Sequence, residues 1–411
     1  MVITQPLVRP EPRLLAGWYE TGTPADLPAH LRRYGPLPLA GRGPESRRFI
    51  AEVTDSGLRG RGGGGFPTGR KLAAVAAART RPAVVVNACE GEPASEKDAV
   101  LLALAPHLVL DGAVAAAVAV NAVAITVCVH EGAVAAQHLA VALGERDDPI
   151  GVTVVEIPQR YVASQETALV HYLDTGDARP TAGRPRPAER GVGGRPTLVS
   201  NAETFAHLAL VARFGAAWFR AIGTEQHPGT HLVTVGGAVH RPGVHEVEGG
   251  TTPDVVIARA GGPTAPVQAI LVGGYGGTWV RPGGPPGPGV AMLLVLPEGA
   301  CGLTQTAHIL RYLADESAGQ CGPCAFGLPA IADDLADLAD PASGHASAAT
   351  GNRLQNRLRT IAGRGACAHP DGAVRLAASA LTVFGDDLAR HVHGHPCPAA
   401  GAPALFPVGA Q

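Results

Sequence analysis

The chain has 411 residues, a formal net charge of −2 and 46% hydrophobic side chains, which is material for two or three cored domains and excludes a disordered chain. The near-neutral balance excludes binding driven by bulk charge, so neither nucleic acid nor an anionic membrane is expected as a partner. Seven cysteines in a chain this long do not make a disulfide framework; closely spaced ones point to metal or redox chemistry in a reducing, cytoplasmic setting.

Residues 1–45 are rich in Pro and Arg and are expected to wrap the surface, without the basic-then-apolar pattern of a signal peptide. From Ser46, strand and helix patterns alternate. Val84–Val86 is a continuous β-branched run of the kind found in buried parallel strands. Ala113–Ala122 reads as a buried helix, 124–129 and 152–157 as strands, and 165–173 as a helix. The apolar stretch Ala113–Val129 is long enough to suggest a membrane span, but Asn121 interrupts it and a helix running into a strand is the preferred reading; no membrane insertion is expected. The alternation predicts an α/β layer with a parallel sheet over 46–225. Arg179–Arg195 is a loop with five arginines and one Glu, either solvated or facing an anion. A helix is expected over 201–219.

A second unit, 226–300, reads as strand 231–237, a turn at Pro242-Gly243, strand 244–247, helix 252–259 and strand 269–272, a β-β-α-β module. Arg281–Gly289 reads as a Pro/Gly linker. Residues 301–411 show helical spacing at 305–315, 330–338, 354–362 and 374–392, which predicts a small helical bundle.

Three motifs carry chemistry. In Gly57–Gly65, six of nine residues are glycine. Such a loop lets amides converge and a phosphate approach closely. A following helix at Lys71 would add its N-terminus, and Arg59, Arg61 and Lys71 add charge. The spacing is not that of a Walker loop. The second motif, Asn87-Ala-Cys-Glu-Gly-Glu-Pro-Ala-Ser-Glu-Lys-Asp98, directly follows the Val84–Val86 strand, where ligand contacts gather in α/β sheets. The Asn87 amide suits a ring edge, and Glu90 and Glu92 can face a cleft. The third is Cys321-Gly-Pro-Cys324 with Cys367 and His369 downstream. It places two thiolates on one ion or cluster, with a third within reach of a helix pair, or else is a buried or redox pair. Cys301 and Cys397 read as spare thiols.

Taken in order, these motifs resemble the FMN- and NADH-binding flavoprotein subunit of respiratory complex I and of related hydrogenases and formate dehydrogenases. So do Gln165-Glu-Thr-Ala-Leu169, Arg195-Pro-Thr-Leu-Val-Ser-Asn-Ala-Glu-Thr204, Val235-Gly-Gly-Ala-Val-His-Arg-Pro-Gly243 and Glu316-Ser-Ala-Gly-Gln-Cys-Gly-Pro-Cys324. The resemblance implies a Rossmann-like flavin domain, a soluble-ligand-binding β-grasp (SLBB) module and a C-terminal helical bundle. It implies FMN, an iron–sulfur cluster of the 4Fe-4S type, NADH or NADPH as substrate, and a ferredoxin-like or other redox partner protein. By resemblance, Gly60, Arg61, Gly62 and Lys71 hold the FMN phosphate and ribityl chain. Asn87, Glu90, Tyr161 and Asn201 line the flavin. Glu92, Glu166 and Phe66 stand where the nicotinamide enters, and Cys321, Cys324 and Cys367 are cluster ligands.

Four departures accompany it. Cys89 stands where the family has Asp, and Ser164-Gln165 where it has Gly-Glu. Leu72 and Ala74 replace two aromatic residues that help hold adenine. Ala318 replaces the first cluster cysteine. Three outcomes follow for the metal: a cluster with a substitute ligand, a zinc on Cys321, Cys324, Cys367 and His369, or none. The alternative to an electron-transferring enzyme is a degenerate binding subunit that organises a redox complex.

Overall fold

Four parallel strands carry the first half of the chain: β1 (Ala83–Asn87), β2 (Ile125–His130), β3 (Val152–Ile157) and β4 (Thr197–Asn201), in the order β3-β2-β1-β4. The computed structural model describes residues 13–15, 22–39, 43–183, 185–284 and 290–409. Helices cover both faces of this sheet. Val84, Val86, Val127 and Leu198 pack against α5 (Pro106–Ala119) and α8 (Ala202–Arg220). On the opposite face Val85, Cys128 and Val199 meet Ala163 and Leu169, the latter in α7 (Glu166–Thr175). Alternation of neighbours along β1 between two apolar layers explains why Val84–Val86 reads as a continuous β-branched run.

Helix α5 begins well before the Ala113 expected from the sequence. Its early polar residues are buried in pairs: Asp111 accepts from His30 Nε2 at 2.8 Å and from Arg146 at 2.7 Å, and also pairs with Arg213. Burial opposes ionisation, but these three partners hold Asp111 well below the usual carboxylate range. Among the described residues no single helix is long and apolar enough to cross a membrane. Helix α4 (Lys97–Leu104) and α5 pass such a test only as a pair bent by 95°, and α5 is buried inside the fold.

The described parts of 1–45 are not merely a surface wrap. Leu14 and Leu15 are fully buried, their amides donating to Glu246, and α1 (Leu27–Tyr34) sets His30 against Asp111. Residues 1–12, 16–21 and 40–42 lie outside the described residues. Two further helices, α2 (Pro44–Ser56) and α3 (Thr68–Ala76), carry the glycine-rich loop between them. Helix α6 (Val134–Gly144) lies between β2 and β3. In α8 the backbone leaves helical geometry at Gly215 (φ 80°), where Glu52 accepts from the Ala216 amide at 2.9 Å.

The second sheet has five strands rather than the three expected. Its order is β6-β5-β9-β7-β8, from β5 (Thr230–Gly237), β6 (Gly243–Glu248), β7 (Val267–Val272), β8 (Thr278–Val280) and β9 (Met292–Pro297). The Pro/Gly stretch Arg281–Gly289 lies between two strands of this sheet; its residues 285–289 lie outside the described residues. Along β9, Met292, Leu294 and Leu296 face the C-terminal helices, while Leu293 and Val295 face α9 (Pro253–Arg259).

The C-terminal helices are α10 (Gly302–Asp315), α11 (Leu328–Ala339), α12 (Ala348–Ile361), α13 (His369–Val383) and α14 (Gly385–Val392). The single helix expected over 374–392 is broken at Phe384 (φ −103°, ψ 29°). Its ring is drawn inward over Gly302 and against Trp279, 5.2 Å between centroids.

Candidate functional site

In the first sheet the chain moves outward from β1 to β3 and then returns to the other side of β1 for β4. This reversal puts the switch point between β1 and β4, and ligands of α/β sheets bind beyond the carboxyl ends of strands at such points. Asn87 and Asn201 are the last residues of these strands and sit opposite each other in register. Above them opens a cleft of about 640 Å³, lined by every candidate cofactor residue: Gly60, Arg61, Gly62, Phe66, Lys71, Asn87, Glu90, Glu92, Tyr161, Glu166 and Asn201.

The glycine loop closes on itself at its neck, where the Gly60 amide donates to Phe66 O (2.9 Å) and the Thr68 amide to Leu58 O (2.9 Å). Gly63 and Gly65 take left-handed φ of 85° and 55°, and a Cβ at Gly63, Gly64 or Gly65 would meet nothing within 4 Å. The loop therefore lines the cleft with bare backbone. Arg61 lines the cleft with its polar groups engaged within the chain. Its amide donates to Thr204 Oγ1 (2.9 Å), its guanidinium to Thr230 O (2.9 Å), and Nε lies 3.9 Å from Glu203. It ties the loop to α8 and β5. Lys71 lies within α3, held by Glu166 Oε2 (2.7 Å) and Val199 O (2.6 Å). Phe66 is 44% exposed, with Arg70 over its ring at 5.6 Å. Leu72 is fully buried and Ala74 exposed, so neither replaces the aromatic contacts that the resemblance implies.

Beneath the cleft lies a buried ionic network that the sequence motifs contain but do not mark out. Lys97 Nζ donates to Asp98 Oδ1 (2.7 Å) and Asn201 Oδ1 (2.9 Å) and pairs with Glu203 Oε2 (3.2 Å). Burial disfavours the ammonium, yet Asp98 and Glu203 outweigh it and raise the lysine above its ordinary value. Burial lifts Asp98 to about 6 against the pull of Lys97. Glu203, opposed by burial, is held well below the usual range by Lys97, His207 and Arg61. Asn201 caps α8, accepting from the Glu203 amide at 3.1 Å. The available signal was a Lys-Asp pair and a Glu inside otherwise apolar helix starts.

The two acids of the Asn87–Asp98 turn part company. Glu90 accepts from Ser95 Oγ (2.6 Å) and the Ala99 amide (3.0 Å), so it caps α4. Glu92 meets Tyr161 OH (3.2 Å) and the Tyr275 amide (3.1 Å). Burial pushes Glu92 up to about 7, and those two hydrogen bonds oppose the rise. A raised carboxyl binds its proton more tightly in the fold. Stability is therefore full below about pH 4.5 and falls as pH rises toward 7, by on the order of 3 kcal/mol. Urea unfolding of Glu92→Gln across pH 5–8 should show a flatter profile than the parent chain; an identical slope refutes the assignment.

Tyr161 joins the cleft to the C-terminal helices. Its amide donates to Glu316 Oε2 (2.9 Å), and its ring lies 5.1 Å from that of His369 and 6.1 Å from that of Tyr312. A second cavity of about 720 Å³ shares Glu90, Gly91 and Tyr161 with the first. Asn87 donates to Ser164 O at 2.7 Å. Cys89 is buried in the apolar layer with Cys128, and burial raises its thiol well above the ordinary value, so it supplies no substitute charge for an acid.

Cys367 lines the far end of the cleft, and Cys321 and Cys324 lie beside it, on and before a π-helical turn (Pro323–Gly327). Burial opposes thiolate formation at Cys321, but the Ala366 amide and Cys324 lower its pKa overall. Burial raises Cys324 to about 12. The Cys321 and Cys324 thiols lie within hydrogen-bonding reach of each other, and Cys367 is close enough to act on Cys324. His369 is directed elsewhere, to Leu313 O at 2.7 Å. The two thiols expected to be spare do converge on a histidine: Cys301, His391 and Cys397 bring their ligand atoms within 4.8 Å of one another. The signal missed was the His- and Cys-rich tail His391-Val-His-Gly-His-Pro-Cys397.

Two family models match: the Nuo51 FMN-binding domain over residues 53–210 and the NADH-ubiquinone oxidoreductase-F iron-sulfur binding region over 304–391. An FMN-binding region and an iron–sulfur region on one chain define the class, a flavoprotein component of an oxidoreductase. One of the NADH-quinone oxidoreductase-F proteins of Rhizobium meliloti is 30% identical over 382 residues, 85% of this chain and 90% of that protein. Its counterpart in Salmonella typhimurium is 29% identical over 384 residues, 85% of each. A chain of an NAD+-reducing [NiFe]-hydrogenase in its air-oxidised state superposes with a TM-score of 0.81 at 28% identity, covering 96% of this chain and 69% of its own. The chain belongs to the NADH-quinone oxidoreductase-F family.

Proposed function

We propose that the chain binds FMN in the glycine-lined cleft and passes electrons from NADH or NADPH to an iron–sulfur or ferredoxin-like partner. The observation that carries this reading is the coincidence of the β1/β4 switch point with a loop of bare backbone. One buried group on the cleft wall, Thr68 Oγ1, has no hydrogen-bond partner among the described residues, and a hydroxyl left open there fits an oxygen-rich ligand. Gly60 and Gly62 take the phosphate and ribityl chain along bare backbone, while Arg61 keeps the loop in place. Lys71, oriented by Glu166, adds positive charge. Asn87, Glu90, Tyr161 and Asn201 border the ring. Phe66, Glu92 and Glu166 stand on the nicotinamide side, where Glu92 holds its proton near neutrality. When bound, FMN supplies the change from two-electron to one-electron transfer; the protein contributes position and electrostatics.

The three thiols Cys321, Cys324 and Cys367 fit three corners of a cluster, and Ala318 has no donor for the fourth. The division into a Rossmann-like flavin layer (46–225), an SLBB-type β-grasp module (226–300) and a helical bundle (301–411) belongs to the same reading, as does a cytoplasmic site of action. The visible spectrum of the purified chain tests it. Bound FMN should show flavin absorbance that NADH or NADPH bleaches without oxygen. A chain that takes up no FMN sinks the proposal, and FMN that neither nucleotide bleaches favours the binding-subunit alternative.

A further inference from the structure

We propose that Cys301, His391 and Cys397 bind a zinc ion that clamps the C-terminal segment over the second cavity. This triad is separate from the Cys321–Cys324–Cys367 group, and Cys301 and Cys397 lie outside the matched iron–sulfur region 304–391. Three parts of the fold supply it: the residue that caps α10, the end of α14, and the segment after it.

The geometry is that of a single-ion shell. Cys301 Sγ lies 4.0 Å and Cys397 Sγ 3.4 Å from His391 Nε2. Zinc bonds of about 2.3 Å to sulfur and about 2.0 Å to nitrogen, set tetrahedrally, require sulfur–nitrogen separations of about 3.5 Å. The imidazole is already oriented. Its Nδ1 lies 2.9 Å from Leu338 O, so Nδ1–H donates there, and the Nε2 lone pair faces the sulfurs, accepting from the Cys397 amide at 3.4 Å, a contact that an ion would replace. A backbone carbonyl orienting a histidine in this way is the usual support for a ligating imidazole. Cys301 and His391 are fully buried and Cys397 nearly so. Two thiolates neutralise a divalent cation, which leaves a neutral assembly in a dry place. Binding is balanced as one Zn²⁺ in and two thiol protons out; nothing is oxidised. Two sulfurs and an imidazole suit zinc over the harder magnesium or calcium. A non-protein ligand such as water completes the shell.

The consequence runs along the tail. Beyond Cys397 the chain lies on α10, with the Gly401 amide donating to Thr304 Oγ1 (3.2 Å), Gln305 Nε2 to Pro403 O (3.0 Å) and the Leu405 amide to Gln305 Oε1 (2.7 Å). Phe406 is buried, Tyr275 OH donates to Pro407 O, and Pro407–Gly409 line the second cavity beside Tyr161. An ion at Cys397 therefore fixes one end of a strap whose other end forms a cavity wall.

Metal analysis of the full chain, purified anaerobically, tests this. We expect about one zinc per chain, kept in C321A/C324A and lost at least tenfold in C301S and in C397A. Should those variants fold poorly, cobalt(II) added to the chelator-stripped parent chain should give thiolate-to-cobalt absorbance, and stripping should speed proteolytic cleavage of the tail several-fold. Zinc that disappears with C321A/C324A overturns the assignment. So does a zinc-free chain that takes up no cobalt, whether its seven cysteines titrate as free thiols or with Cys301 and Cys397 bridged.

Discussion

Lys97→Met should destabilise the chain by about 3–5 kcal/mol, the usual result of removing one partner from a buried ion pair. The lysine is 4% exposed and is the cation in contact with both Asp98 and Glu203. Without it, Glu203 keeps Arg61 at 3.9 Å and His207 at 3.7 Å, and burial holds His207 neutral, at about 4. The cost lies in the stranded carboxylates rather than in the lost contact. Two results follow. Glu203→Gln added to Lys97→Met should recover more than half of the loss, because the amide carries no charge to strand. Acid should narrow the gap between variant and parent, since a carboxylate without its cation takes up a proton at higher pH than one with it. Urea unfolding at pH 5.5 and 7.5 measures both. Asn201 loses one of its partners in the same change, so FMN retention on a desalting column should fall with stability. A variant with parent-like unfolding shows that the network carries no load.

How much of this was legible in the sequence varied by element for physical reasons. Strands β1 and β2 were legible because a strand buried on both faces spells a nearly continuous apolar run. The start of α5 was not, because His107 and Asp111 read as surface residues until Arg146, Arg213 and His30 are seen around them. Strands β8 and β9 were hidden by the Pro/Gly stretch between them, which resembles a linker in sequence. Period-2 alternation in β9 was blurred because both its faces are buried. At the cleft, the glycine loop was legible in composition, since bare backbone can be written only one way. The role of Arg61 was not, because its sequence position places its amide at the loop while its side chain answers Glu203, which lies far along the chain. The Cys301–His391–Cys397 triad was missed for the same reason: its members are distant in sequence and its density appears only once α10 and α14 are packed.

Gly112→Ala should also cost about 3 kcal/mol or more, at the upper end for an overpacked core. In most helices this substitution helps, since alanine gains about 1 kcal/mol over glycine. Here a Cβ would stand 1.7 Å from Phe205 O and 2.4 Å from its carbonyl carbon. Those are backbone atoms of α8 and cannot rotate away, so α5 and α8 must separate. Both helices are lined with buried alanines, among them Ala113, Ala116, Ala206 and Ala209, and small residues allow that approach. This close contact explains the alanine-rich run that could pass for a membrane span by composition. The sign is the test. Gly351→Ala, in α12 with nothing within 4 Å of an added Cβ, should stabilise by up to about 1 kcal/mol, while Gly112→Ala does the opposite. The effect should also reach the cleft. Phe205 sits one helical turn after Asn201, so a displaced α8 moves Asn201 and Glu203 together, and FMN uptake should fall at temperatures where the variant is still folded. Equal and favourable shifts in melting temperature for the two alanine variants would show that the helices tolerate the added methyl group and that their spacing does not set the cleft.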